Sequence, residues 1–251
     1  MFNYIKGELF RIFSKKGFYV YYVTIMVVVL GLFLISGVGD SSHMEMGMMF
    51  TSAFLPMSMI FFGTNLFLLV YGDDLANRSL SLVLSTGLSR TAFVLSKLIV
   101  MMVATLVVYV AMGVYSLLIW QLAVGSLPAF DSVEVVLLLK SFVVVFLQIL
   151  GFGSIAGALS YFYQKNTGGI VLYSVMALGL TYQIGNLLTA LFDWLKEPVK
   201  YMLYAQAYQV QYDVYSGESI SLLFVGIAIG YIVVGMTIQS LVLSKREISV
   251  S

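Results

Sequence analysis

Polar side chains crowd one short stretch bounded by long apolar runs, among them Asp73, Asp74, Asn77, Arg78, Ser81, Ser85 and Arg90. On a helix turning 100° per residue, Asn77, Arg78, Ser81 and Ser85 share one arc, while Leu75, Leu80, Leu82, Val83 and Leu84 fill most of the remainder. The chemistry such a segment offers is recognition: a polar strip presented to a partner by a helix whose other sides suit a membrane surface. Asp73 and Asp74 follow directly on apolar sequence, where carboxylates cap free backbone N–H groups and favour the positive end of the helix dipole, so a helix is expected to begin at Asp74. Gly87 supplies its stop, and Ser89 caps a following helix that opens Arg90-Thr91-Ala92. Arg90 and Lys97 suit phosphate headgroups better than a protein partner.

Elsewhere, chemistry is sparse. Asn65, Gln121, Gln148, Gln183 and Asn186 fall within or near apolar runs. Interhelical hydrogen bonding accounts for most such residues, and Asn65, Gln183 and Asn186 are the candidates for lining a substrate path, the last two lying three apart on one helical face. Lys140 reads as a snorkelling side chain, with anion binding as the alternative. Met44, Met46, Met48 and Met49 suit flexible packing better than a soft-metal site. No GxxxxGK[ST], HExxH or GxSxG stretch is present, so this chain does not hydrolyse ATP. With no cysteine and a single histidine, His43, disulfides, thiolate sites and histidine-cluster metal sites are excluded. No Asp or Glu sits at the centre of a span, which argues against a proton relay. Transport, if performed, takes its energy from a partner, and neither a metal nor a cofactor is expected in this chain.

The elements that must position these residues are membrane helices. Hydrophobic residues make up 61% and charged residues 10% of the 251, with a mean hydropathy of +0.99, which no ordinary soluble domain shows. At about 20 residues per helical span there is room for roughly six spans and no sizeable soluble domain. The net charge of +1 carries no nucleic-acid signal. The expected fold is therefore an all-α integral membrane protein, one permease-like domain over 1–251. It comprises an amphipathic interfacial helix at 1–17, spans near 18–36, 48–71, 98–122, 134–163, 168–192 and 220–243, a cytoplasmic loop at 72–97, and an outer segment at 193–219 that is re-entrant or interfacial. A cleaved signal peptide fits poorly, because the apolar core after residue 17 runs about 19 residues, beyond an h-region of 7 to 15. Pro56 should kink the second span. Gly153 with Gly157, and Gly226 with Gly230, give small-xxx-small faces for close helix contact.

In the outer segment Tyr201, Tyr204, Tyr208, Tyr212 and Tyr215 share one arc, with Val199, Leu203, Ala207, Val210 and Val214 opposite. The tyrosines read as an aromatic belt or, alternatively, Tyr201, Tyr204, Tyr208 and Tyr212 as an outer gate. With the amino terminus inside, only Lys140, Lys196 and Lys200 of the 13 basic residues fall outside, so both termini are expected in the cytoplasm.

Asp74, Ser79-Leu80, Val83-Leu84, Thr86, Ser89-Arg90 and Lys97 together resemble the cytoplasmic-loop pattern of ABC-2 type transporter permeases. The chain departs from it in having Asp74 for the usual Glu, Arg78 where Gly is common and Gly87 where Pro is common. The resemblance implies a cell-membrane permease that pairs with itself or a similar permease, contacts membrane lipid, and is driven by separate nucleotide-binding ATPase subunits holding ATP and Mg. In it, Asp73, Asp74, Asn77, Arg78, Ser81, Ser85 and Arg90 would dock the ATPase. The neutral, aromatic- and methionine-rich spans suit export of a hydrophobic or amphipathic cargo such as an antimicrobial peptide, lantibiotic or drug. The competing expectation is a scaffold or immunity protein that sequesters a peptide; a membrane enzyme would need a clustered acid, base or nucleophile that the sequence lacks.

Overall fold

The computed structural model describes residues 1–35, 59–72, 87–124, 132–215 and 218–245, and every regular element among them is helical. In chain order they are α1 (Phe2–Phe13), α2 (Lys16–Ile35), α3 (Met59–Gly72), α4 (Arg90–Val124), α5 (Ser132–Tyr163), α6 (Asn166–Ala177), α7 (Leu180–Thr189), α8 (Lys196–Lys200), α9 (Leu203–Tyr215) and α10 (Leu222–Lys245). Three stretches are long and apolar enough to cross a membrane: Arg90–Tyr115, Leu139–Tyr163 and Leu222–Lys245. The pair α6–α7 makes a fourth if it counts as one span, and the apolar helices Lys16–Val28 and Met59–Gly72 are shorter. Among the described residues the chain is thus all-helical, with three to four candidate membrane spans, as a membrane protein requires.

The helix boundaries have local causes. Ser89 Oγ accepts the Ala92 N–H at 3.2 Å, so α4 starts where a capping serine predicts. Gly87 before it has φ +85°, the left-handed conformation that glycine adopts without strain. The fifth expected span is not straight: α6 and α7 meet at 65°, with Gly179 at φ +70° in the joint. Gly179 also gives room to the Tyr204 ring, which a Cβ there would strike.

α5 is the axis of the bundle, packing against α4, α6, α9 and α10. Its glycines face different neighbours. A Cβ at Gly151 would lie 2.6 Å from Leu203 of α9, one at Gly153 3.1 Å from Met101 of α4, and one at Gly157 2.7 Å from Tyr71 of α3. Small residues let backbones approach where water supplies no driving force between helices. The pair Gly226 and Gly230 does not act this way: both are exposed, and a Cβ at either would meet nothing within 4 Å. Gly235 serves that purpose in α10, its Cβ position lying 2.6 Å from the Ser154 backbone, and Gln239 Nε2 donates to the Ser154 carbonyl at 2.7 Å across the same contact.

Candidate functional site

α3 is an unusual helix. Met59–Gly63 and Leu68–Gly72 are π-helical turns around a short α-helical centre, Thr64–Phe67. Bonding to the fifth residue widens the turn, and the last carbonyls of any helix lack intrahelical donors. Five carbonyls of α3 are met by side chains from other helices. Phe61 O accepts from the Tyr21 hydroxyl at 2.8 Å and Met59 O from Tyr173 at 3.4 Å. Leu69 O accepts from Arg11, Val70 O from Lys97, and Gly72 O from Asn166 Nδ2.

Two of these carbonyls, those of Leu69 and Val70, belong to the junction of α1, α3 and α4, which the ion pair of Glu8 and Lys97 closes. Lys97 Nζ donates to Glu8 Oε2 at 2.6 Å and to Val70 O at 3.0 Å, and its side chain is fully buried. The ammonium also lies 5.5 Å from the Tyr4 ring centroid and 5.6 Å from that of Phe93, a distance at which ring quadrupoles attract a cation. Arg11 completes the carboxylate's shell with Nη2 on Oε2 at 2.7 Å and Nε on Oε1 at 3.2 Å, while Nη2 also reaches Leu69 O at 3.1 Å. Burial pushes the Glu8 carboxyl up, but Lys97 and Arg11 together outweigh it and hold the group below the ordinary carboxylate range. Around this polar knot Ile5 and Ile12 bury the same side of α1, whereas Phe2 and Phe10 on its other apolar edge stay exposed.

Arg90 Nη1 donates to the Ser244 carbonyl at 2.7 Å, so a cation covers the C-terminal end of α10, where helix carbonyls are unmatched and the dipole is negative. Lys97 is therefore sealed inside rather than the headgroup anchor that its sequence suggested, while Arg90 caps a helix from a half-buried position. Asp73, Asp74, Asn77, Arg78, Ser81 and Ser85 lie outside the described residues, as do Pro56 and the methionines at 44, 46, 48 and 49.

Asn65 is half-buried in the centre of α3, and its Oδ1 has no hydrogen-bond partner among the described residues. Gln183 and Asn186 are both exposed on α7, beyond the bend, and Asn186 lines a cleft with Tyr182, Thr189, Lys196, Glu197 and Lys200. Tyr201, Tyr208 and Tyr212 are exposed and Tyr204 is half-buried over Gly179, while Leu203, Ala207, Val210 and Val214 are buried on the opposite side of α9. Lys140 donates to the Glu218 carbonyl at 2.6 Å, which ties α5 to the segment leading into α10. Among the described residues no three Asp, Glu or His side chains converge as metal ligands.

Sequence reasoning passed over Glu8. Its one visible signal is the i,i+3 spacing to Arg11; the partner that makes it matter lies 89 residues away. No protein-family model matches the chain, and no curated protein does either. The junction's geometry and the sequence pattern beside it carry the functional reading.

Proposed function

We propose that the chain is the membrane subunit of an ABC-2 type exporter: six helices in the cell membrane, both termini cytoplasmic, paired with an identical or similar permease. Separate nucleotide-binding subunits, holding ATP and Mg, drive it. The cargo is hydrophobic or amphipathic, of the class of an antimicrobial peptide, lantibiotic or drug.

The observation that carries this reading is the Glu8–Lys97 pair with its bond to Val70 O. A loop that receives force from an ATPase has to pass it to the helices on either side without slack. Here Lys97, at the foot of α4, grips the last turn of α3, and the amphipathic helix α1 is held to both by Glu8 and Arg11. The helices flanking residues 73–86 are thus tied to each other and to α1, and that arrangement suits a docking loop better than a bare connector.

The test is purification of the tagged chain from its native membrane after crosslinking, with mass spectrometry of what accompanies it and an ATPase assay. A Walker-type ATPase that copurifies and hydrolyses ATP is expected. If the chain emerges alone under mild detergent, with no ATPase crosslinked in the intact membrane, the exporter reading fails and a peptide-sequestering scaffold replaces it.

A further inference from the structure

At the end of the bundle away from the ion pair, the chain turns along the surface. α7 presents Ile184, Leu187 and Leu188 outward, followed by exposed Leu191, Phe192 and Trp194. An apolar face of this extent on a membrane protein is covered by hydrocarbon, and tryptophan beside charged residues marks the boundary with the headgroups. Two cavities adjoin this segment. The first, of about 250 Å³, is lined by Tyr182, Asn186, Thr189, Lys196, Glu197 and Lys200. It offers two ammonium groups and one carboxylate. Lys196 pairs with Asp193 at 2.7 Å and Lys200 with Glu197 at 2.6 Å, but all four side chains are more than half exposed, and pairs of that kind hold their ions weakly enough for a ligand to share them.

The second cavity, of about 430 Å³, lies among α5, α6, α9 and α10. Phe152, Ile155, Met176, Leu203 and Val234 are among its walls, Gly230 leaves it open on one side, and no charged residue lines it. It is an open groove with an apolar lining, the kind of surface that an acyl chain can cover. Tyr182 lines the first cavity and Tyr204 the second, and their rings stand 5.9 Å apart. A recess bearing both charge signs thus adjoins an uncharged apolar one across a single pair of rings.

We propose that this double recess binds a zwitterionic phospholipid. The phosphate is held by Lys196 and Lys200, the headgroup ammonium by Glu197, and an acyl chain lies in the groove beside Gly230. The pairs Lys196–Asp193 and Lys200–Glu197 balance in charge, so a headgroup of no net charge can trade partners with them and leave the recess neutral, whereas an anionic headgroup leaves it negative and a neutral apolar molecule leaves the charged cleft unused. The site is independent of the exporter reading, since it needs only that these helices lie in a bilayer.

The chain has two tryptophans, so Trp120→Phe leaves Trp194 as the sole reporter. The experiment compares quenching of Trp194 by a minor fraction of brominated phosphatidylethanolamine in phosphatidylglycerol nanodiscs with the reverse mixture. Several-fold more quenching by the zwitterionic lipid than its bulk fraction gives is expected. The enrichment should vanish in Lys196→Gln/Lys200→Gln and in Gly230→Phe, whose ring is added at the groove, and persist in Gly226→Phe, which adds the same ring one turn away; at both positions a Cβ meets nothing within 4 Å. Quenching at the bulk fraction, equal enrichment of phosphatidylglycerol, or an equal loss in Gly226→Phe would each overturn the proposal.

Discussion

Lys97 and Glu8, 89 residues apart in the chain, meet at 2.6 Å with the ammonium wholly shielded from solvent. Desolvating the two ions costs several kcal/mol each, and the pair survives because Val70 O, Arg11 and two aromatic rings satisfy what remains. Removing one partner strands the other. Glu8→Gln or Lys97→Met alone should destabilise the protein by about 3–5 kcal/mol, whereas Glu8→Leu/Lys97→Met should cost far less. Thermal unfolding in detergent measures both, and singles no worse than the double would mean that the pair is not what holds α1.

The same contact has a pH signature. The folded-state pKa of Glu8 is depressed, so its contribution is present above the ordinary carboxylate value of about 4 and is lost as pH falls through the folded value. A nitroxide at Lys6→Cys, an exposed position of α1, should report an immobile helix at neutral pH and a mobile one in acid. In Glu8→Gln it should be mobile throughout. An acid transition that persists unchanged in Glu8→Gln would assign it to another group.

Gly179 combines a left-handed backbone with an aromatic ring where its Cβ would be. Gly179→Ala should therefore cost about 1–2 kcal/mol for the backbone and a further 1–3 kcal/mol, roughly, for overpacking against Tyr204. Tyr204→Ala in the same chain should remove the second cost and leave the first. A double-mutant cycle on unfolding midpoints measures this, and strict additivity would show that ring and glycine do not meet.

How much of this was legible beforehand depended on whether a feature is local. The Ser89 cap, the starts of α2 and α10, the end of α5, and the division of α9 into a tyrosine side and a buried aliphatic side are written within a few residues and follow from spacing. The bend at Gly179 was not, because a lone glycine in an apolar run signals equally a packing contact, and the Tyr204 ring that exploits it comes 25 residues later. The α1–α3–α4 junction was hidden for a stronger reason. Its acceptors are backbone carbonyls exposed by π turns, which no side-chain pattern announces, and a lysine among apolar residues at a helix foot looks the same whether it faces phosphates or a buried glutamate. Gly226 and Gly230 matched the small-xxx-small pattern, yet it was Gly235 that found a neighbour, because spacing identifies a face without saying what stands opposite.

The bundle has two ends that cross-chain contacts define without reference to any membrane. One end joins Lys97 to Glu8, Arg90 to Ser244 and Asn166 to Gly72; the other joins Lys140 to Glu218. Most of the described basic residues lie at the first end, and the proposed orientation, by the positive-inside rule, would put that end in the cytoplasm. The chain lacks cysteine, so single cysteines report cleanly. Lys165→Cys should react with an impermeant maleimide only after permeabilisation, and Asp193→Cys in intact cells. The inverse pattern would turn the protein over while leaving every contact above in place, and would put the Glu8–Lys97 junction and residues 73–86 where no cytoplasmic ATPase can reach them.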